Sequence, residues 1–119
     1  MNIYRQNILE HYKNPDNSEN LSNYDIKTQA NNPSCGDEIE IKIKLDNNRI
    51  KDAKFNAKGC AISIASADIL LENLKNKPLS YIKKLGYKDI IKFLGTELTP
   101  SRMNCAMLSL NALKLIKWA

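Results

Sequence analysis

The middle of the chain alternates between aliphatic and charged residues, as a β-strand with one buried face does. Successive side chains of a strand point to opposite faces, so every second residue shares a face. Between positions 38 and 45 the residues that alternate with charged ones are Ile39, Ile41, Ile43 and Leu45. This pattern predicts a strand of an antiparallel sheet that is covered on one side only.

Two further segments alternate in the same way. Residues 24–30 precede the central strand, and residues 52–58 follow it after the turn Asp46-Asn47-Asn48. Asn and Asp tolerate positive φ, so this turn predicts a hairpin between the second and third strands. Ile50 is out of phase with the inward residues of the third strand, and a β-bulge is therefore expected near Lys51.

Elsewhere the apolar residues recur every three or four positions, which is the spacing of an amphipathic helix. The predicted helices cover residues 3–12, about 14 residues from residue 61, and residues 78–86, 87–94 and 103–118. Gly86 separates the two short pieces, and the last helix is expected to pack on the sheet.

Length and composition predict one domain over residues 1–119 with a single hydrophobic core. The chain is 43% hydrophobic and 26% charged, which is ordinary for a globular protein. No apolar run approaches the ~18 residues of a membrane span, and the amino terminus lacks the layout of a secretory signal, so a cytoplasmic protein without membrane contact is expected. The net charge of +5 does not indicate nucleic-acid binding, because the basic residues are scattered.

Three cysteines and one aspartate carry the candidate chemistry. Cys35-Gly36-Asp37 places a thiol and a carboxylate around a glycine, just before the central strand. Cys60 stands where the third strand gives way to a helix, and Cys105 stands at the start of the last predicted helix. A helix amino terminus favours the thiolate. Three thiolates with Asp37 would supply four ligands for zinc or for a small iron–sulfur cluster.

A purely structural interpretation of the same residues is also open. Cys105 lies on an apolar stripe with Leu108 and Ala112 and would then fill the core, while Cys60 would be a residue of a tight turn. His11 has polar neighbours and no ligand partner nearby in the sequence, so it is interpreted as an ordinary structural residue. The odd number of cysteines argues against a disulfide framework.

Several motifs follow one another in an order that is known from one family. They include Asn32-Pro33-Ser34-Cys35-Gly36-Asp37 and Arg102-Met103-Asn104-Cys105, and together they occupy residues 8–15, 32–37, 52–55, 59–67 and 102–108. In these segments the chain resembles the U-type iron–sulfur cluster assembly proteins, the family that includes IscU, SufU and the amino-terminal part of NifU. The resemblance extends over nearly the whole chain.

The resemblance implies an α+β fold in which a three-stranded antiparallel sheet has helices packed on one face. It also implies that Cys35, Asp37, Cys60 and Cys105 form one site, which binds zinc or iron or holds a [2Fe–2S] cluster. A further implication is that replacing Asp37 with alanine prolongs the lifetime of the bound cluster.

The function implied by the resemblance is that of a cluster assembly scaffold. Such a scaffold accepts persulfide sulfur from a cysteine desulfurase, on Cys105 or Cys35, and delivers a cluster to apo-proteins. Two alternatives stay open. One is a zinc-dependent sulfur acceptor of the SufU type, a sulfurtransferase that never carries a cluster, and the other is a zinc-stabilised interaction module.

The chain departs from the family pattern at two places. Asn104 stands where IscU has a histidine before the third cysteine, and the local pattern that begins at Arg102 is similar to SufU. The segment between the second and third cysteines nevertheless has the shorter length of IscU. The segment that an Hsp70 chaperone reads in IscU retains only Leu98 and Pro100, so that chaperone is not expected as a partner.

Overall fold

A computed structural model describes residues 3–32 and 36–116, with side chains from residue 6 onward. Its elements, in chain order, are α1 (Ile3–Lys13), β1 (Ile26–Asn32), β2 (Asp37–Asp46), β3 (Arg49–Lys58), α2 (Ala61–Leu74), α3 (Tyr81–Lys84), α4 (Tyr87–Leu94) and α5 (Pro100–Lys114). The strands form one antiparallel sheet in the order β1-β2-β3. With α2 and α5 packed on the sheet, this confirms the expected α+β fold.

The central strand β2 has the alternation that the sequence predicts. Its aliphatic side chains Ile39, Ile41 and Ile43 are at most 4% exposed, because they form the inner face on which the helices pack. At the end of β2 the chain reverses through Asn47 and Asn48, whose φ angles are 52° and 65°. Two successive positive φ values match the twist of a tight hairpin, so the predicted turn is confirmed.

The predicted β-bulge is also present. Lys44 pairs with Asp52 and Leu45 pairs with Ile50, so Lys51 is the extra residue on β3. The bulge shifts the phase of β3 by one residue. As a result, Ile50 joins the inner face and is fully buried.

Helix α2 has the predicted length of 14 residues and is mostly buried. It contacts α1, α5 and β3, and small side chains such as Ala65, Ser66 and Ala67 let these elements approach closely. The described helices are all too short or too polar to cross a bilayer.

Several predicted boundaries are wrong. β1 covers Ile26–Asn32 rather than residues 24–30. Tyr24 is 42% exposed, and the Lys42 ammonium nitrogen lies over its ring, 5.0 Å from the ring centre. The piece predicted at 78–86 is a single turn, α3. α5 begins at Pro100 rather than at residue 103, because proline is well suited to the first position of a helix, where its missing N–H is no loss. It ends at Lys114, whereas the apolar pattern predicts residue 118.

A buried carboxylate joins the amino-terminal helix to α2. Asp68 is fully buried, and one of its oxygens lies 2.5 Å from His11 Nδ1. The other oxygen accepts hydrogen bonds from the backbone N–H of Asn17 (2.8 Å) and from its side-chain amide (3.0 Å). His11 therefore has a structural contact, in agreement with its interpretation from the sequence.

Candidate metal centre

Three separate elements bring one carboxylate and two thiols together. Asp37 is the first residue of β2, Cys60 lies between β3 and α2, and Cys105 lies in α5. A carboxylate oxygen of Asp37 and the sulfur atoms of Cys60 and Cys105 all lie within 4.8 Å of one another. Within the described ranges, this is the only group of three or more His, Cys, Asp or Glu side chains with such spacing.

Asp37 is buried at the start of β2, with an exposure of 4%. The preceding residue, Gly36, has a φ of 75°, a left-handed conformation that glycine adopts readily and that costs most other residues about 1–2 kcal/mol. Gly36 therefore has a backbone conformation that glycine adopts more readily than other residues.

Gly59 lets the chain pass directly beside the Asp37 carboxylate. A Cβ atom at position 59 would lie 2.8 Å from Asp37 Cγ and 2.9 Å from its Oδ1, closer than van der Waals contact allows. The absence of a side chain at Gly59 therefore makes room for the carboxylate. The glycine also brings the end of β3, and with it Cys60, next to Asp37.

Cys60 occupies the position before the first turn of α2, as the sequence predicts. Its backbone is extended (φ −73°, ψ 169°), and its side chain makes no capping hydrogen bond to the helix. Residues at this position stand beside the unpaired N–H groups and the positive end of the helix dipole. The thiol is exposed and so is accessible to a partner or a metal ion.

Cys105 lies further into its helix than the sequence suggests. Because α5 begins at Pro100, Cys105 falls in the second turn, and the N–H of Met103 is already bonded to the Thr99 carbonyl oxygen at 2.8 Å. The unpaired N–H groups belong to the first turn. The argument that a helix amino terminus favours the Cys105 thiolate is therefore wrong. Its side chain is half-buried beside Asp37 and Cys60.

Ser63 is a residue of this centre that the sequence patterns assign only to close packing. Its hydroxyl donates a 2.5 Å hydrogen bond to Asp37 Oδ2. The hydroxyl oxygen of Ser63 also lies 3.7 Å from the Cys60 sulfur and 3.4 Å from the Cys105 carbonyl oxygen. A sequence signal does exist, since residues three apart share a helix face and Ser63 follows Cys60 by one turn.

Cys35, the remaining residue of the predicted ligand set, lies outside the described residues. Its part in the centre stays a prediction from the sequence. Asn104, which stands where IscU has a histidine, has an exposed side chain on α5.

The donor set fits a zinc ion. Thiolate and carboxylate are both zinc ligands, at about 2.3 Å for sulfur and 2.0–2.2 Å for oxygen, so a sulfur atom and a second ligand atom of a tetrahedral site are about 3.6–3.8 Å apart. The observed spread of up to 4.8 Å needs only a small movement of the side chains. Soft sulfur ligands likewise suit iron–sulfur clusters.

A family model of the NifU-like N terminal domain matches residues 3–116. The chain belongs to this family. The match includes all three strands, all five described helices and the centre formed by Asp37, Cys60 and Cys105.

Curated relatives include proteins of two named kinds. The chain is 36% identical to a protein of Bacillus subtilis named zinc-dependent sulfurtransferase SufU, with 94% of this chain and 87% of the relative covered. It is 38% identical to the iron-sulfur cluster assembly enzyme IscU of Drosophila melanogaster, with 94% and 74% covered. The alignment is 129 residues long for SufU and 116 for IscU at equal coverage of this chain, so the SufU alignment contains more gaps.

Solved structures of relatives have the same fold. A putative scaffold protein for the SUF system from Fervidobacterium islandicum superposes with a TM-score of 0.76 at 25% identity, covering 92% of this chain and 93% of the other. A NifU-like protein (N-terminal) from Brucella abortus superposes with a TM-score of 0.73 at 18% identity, covering 93% and 89%. The second likeness concerns the fold alone.

Proposed function

We propose that this protein is an iron–sulfur cluster assembly scaffold that accepts persulfide sulfur from a cysteine desulfurase and builds a [2Fe–2S] cluster on Cys35, Asp37, Cys60 and Cys105. The observation that carries the proposal is the convergence of one carboxylate and two thiols, from three elements, to within 4.8 Å. Membership of a family with relatives named as cluster assembly proteins supports it. The setting proposed is the cytoplasm, with apo-proteins receiving the cluster.

The first step is a thiol–persulfide exchange. A thiolate of this chain, on Cys105 or Cys35, attacks the outer sulfur of the desulfurase persulfide. A new S–S bond forms on the acceptor, the S–S bond of the donor breaks, and the desulfurase cysteine leaves as a thiolate, so no net oxidation occurs. Conversion of each transferred sulfur to sulfide then takes two electrons, which an external thiol or an electron-transfer protein supplies.

Asp37 gives the centre a ligand that exchanges readily. A carboxylate is a hard ligand, whereas iron–sulfur clusters favour soft thiolates. The bond to Asp37 is therefore the one that opens first when an accepting protein offers a thiolate. This suits a site that has to release its cargo.

A second candidate function is a zinc-dependent sulfur acceptor that relays sulfur without building a cluster. It is favoured by Asn104 and by the pattern around Arg102. The relative from Bacillus subtilis that is named a zinc-dependent sulfurtransferase supports it too. In this case Cys35, Asp37, Cys60 and Cys105 would hold zinc, which would stabilise the thiolates and keep the site folded.

Metal, sulfide and visible-absorption analysis of protein purified without oxygen separates the two candidates. The same protein is then supplied with ferrous iron, cysteine, a reducing thiol and a desulfurase. The scaffold function predicts a sulfide-dependent visible absorption and transfer of the cluster to an apo-protein. Stoichiometric zinc with no sulfide-dependent absorption would contradict it and favour the relay.

A further inference from the structure

The hydroxyl of Ser63 lies beside the candidate metal centre and contacts all three of its residues. Ser63 is in the first turn of α2, one turn after Cys60, and is 4% exposed. Its hydroxyl has one proton to donate and two neighbouring oxygens that accept, Asp37 Oδ2 at 2.5 Å and the Cys105 carbonyl oxygen at 3.4 Å. The Cys60 sulfur lies 3.7 Å away, and in that contact either atom can be the donor.

The distances indicate that the Ser63 hydroxyl donates its hydrogen bond to the Asp37 carboxylate. Hydrogen bonds from a hydroxyl to a carboxylate are typically 2.5–2.7 Å long and are stronger than those to a neutral carbonyl. The contact to Asp37 has this length, whereas the contact to the Cys105 carbonyl oxygen is at the long limit of a hydrogen bond. Ser63 is therefore bound first of all to the carboxylate.

The other oxygen of the carboxylate lies beside Gly59. A Cβ atom at position 59 would be only 2.9 Å from Asp37 Oδ1. Ser63 thus fixes Oδ2 from α2 while Gly59 gives Oδ1 its space. In this orientation a carboxylate oxygen already lies within 4.8 Å of both sulfur atoms.

We propose that Ser63 is a positioning residue, which holds the Asp37 carboxylate in the orientation that meets a metal together with Cys60 and Cys105. This inference rests on the proposed metal-binding function of the centre. Loss of the Ser63 hydroxyl removes this hydrogen bond to Oδ2, so the carboxylate is oriented less well and binding a metal has to restore its orientation. Partners that orient a metal ligand commonly contribute 10- to 100-fold to metal affinity.

The test compares the zinc dissociation constants of the parent and its variants. Each protein is prepared without metal, and zinc binding is measured by competition with a chromophoric chelator. Ser63→Ala is expected to weaken zinc binding by about 10- to 100-fold. Ser66→Ala is the matched control, because Ser66 lies on the same helix, is also 4% exposed, and has a hydroxyl without a hydrogen-bond partner. That variant should bind zinc like the parent. Ser63→Thr, which keeps a hydroxyl, should restore most of the affinity.

A double-mutant cycle shows whether Ser63 acts through Asp37. If it does, Ser63→Ala has little effect on zinc affinity in an Asp37→Ala background. An equal loss in both backgrounds would overturn the inference, since it would place the effect on Cys60 or on the fold. The visible spectrum of bound Co²⁺ gives a second readout and should change with Ser63→Ala but not with Ser66→Ala.

The outcomes also separate this inference from the proposed function. If the parent binds neither Zn²⁺ nor Co²⁺, both fail. If the parent binds zinc and Ser63→Ala binds it equally well, the positioning role alone fails. Far-UV circular dichroism of each metal-free variant checks that it is folded, and alanine is well tolerated in a helix. Should Ser63→Ala not fold, Ser63→Thr replaces it in the cycle and is measured with and without Asp37→Ala. The positioning role would be overturned if Ser63→Thr bound zinc more weakly than the Ser66→Ala control and the same loss remained in the Asp37→Ala background.

Discussion

Gly59 lies against the carboxylate of Asp37, so that a methyl group at position 59 would come within 2.8 Å of Asp37 Cγ. The closeness of these two residues, one at the end of β3 and one at the start of β2, determines where the carboxylate can be. It also accounts for a glycine directly before Cys60.

Replacing Gly59 with alanine tests this relationship. The new methyl group displaces the carboxylate, and zinc affinity is expected to fall by roughly 10-fold or more. Gly86→Ala is the control, because a Cβ at position 86 would have no atom within 4 Å. Chelator competition measures both variants, and an unchanged dissociation constant for Gly59→Ala would contradict the proposed position of Asp37.

Asp37→Ala is expected to lengthen the lifetime of the cluster. A carboxylate is a hard ligand that exchanges more readily than a thiolate, and the resemblance to the U-type assembly proteins implies that release of the cluster depends on it. The decay of the visible absorption after anaerobic reconstitution, with and without an apo-protein acceptor, measures the effect. Equal lifetimes in the parent and the variant would exclude this role for Asp37.

The buried carboxylate of Asp68 is expected to stabilise the fold outside the metal centre. Asp68→Ala removes the partner of His11 Nδ1 and of two Asn17 donors. Because these groups stay partly buried, the free energy of unfolding should fall by about 3 kcal/mol. Glu19→Ala removes an exposed carboxylate and should cost less than about 0.5 kcal/mol. Urea denaturation of the metal-free proteins measures both, and similar small losses would show that the contact contributes little.

Glu72 makes a small, pH-dependent contribution to stability. The Asn17 side-chain amide donates a hydrogen bond to its carboxylate (3.2 Å), and this bond, aided by Lys75, holds the pKa of Glu72 below its usual value. A lowered pKa in the folded state stabilises the protein above the pKa of the unfolded chain, about 4.3. The contribution is lost as the pH falls through the folded-state pKa. The stability difference between the parent and Glu72→Gln should therefore shrink between pH 7 and about pH 3. A difference that stays constant or grows in acid would contradict this assignment.

The sequence predicts most of the fold because the sheet depends on a simple period. Alternation determines which side chains of β2 are buried, and the phase of Ile50 is enough to predict the bulge at Lys51. The start of α5 is different. The apolar pattern begins only at residue 103, whereas the helix begins at Pro100. An apolar pattern marks the buried face of a helix and does not mark its first turn.

The polar contacts of the interior could not be predicted in this way. His11 and Asp68 are 57 positions apart in the chain, and Ser63 is 26 positions from Asp37. Periodicity assigns such polar residues to the surface or to packing, since it contains no information about partners across the fold. The cysteines and Asp37 were recognisable because their types indicate ligand chemistry. Their role as ligands, and the single-domain organisation over residues 1–119, stay predictions.

The central claim is that this chain receives sulfur from a desulfurase on a cysteine of the site. The most direct measurement combines a cysteine desulfurase assay with mass analysis of the alkylated protein, for the parent and for Cys35→Ser, Cys60→Ser and Cys105→Ser. We expect the parent to stimulate desulfurase turnover and to gain one sulfur atom as a persulfide. The gain should be lost in Cys105→Ser or Cys35→Ser and kept in Cys60→Ser. A parent protein that neither stimulates turnover nor gains sulfur would contradict the account and leave a zinc-stabilised interaction module.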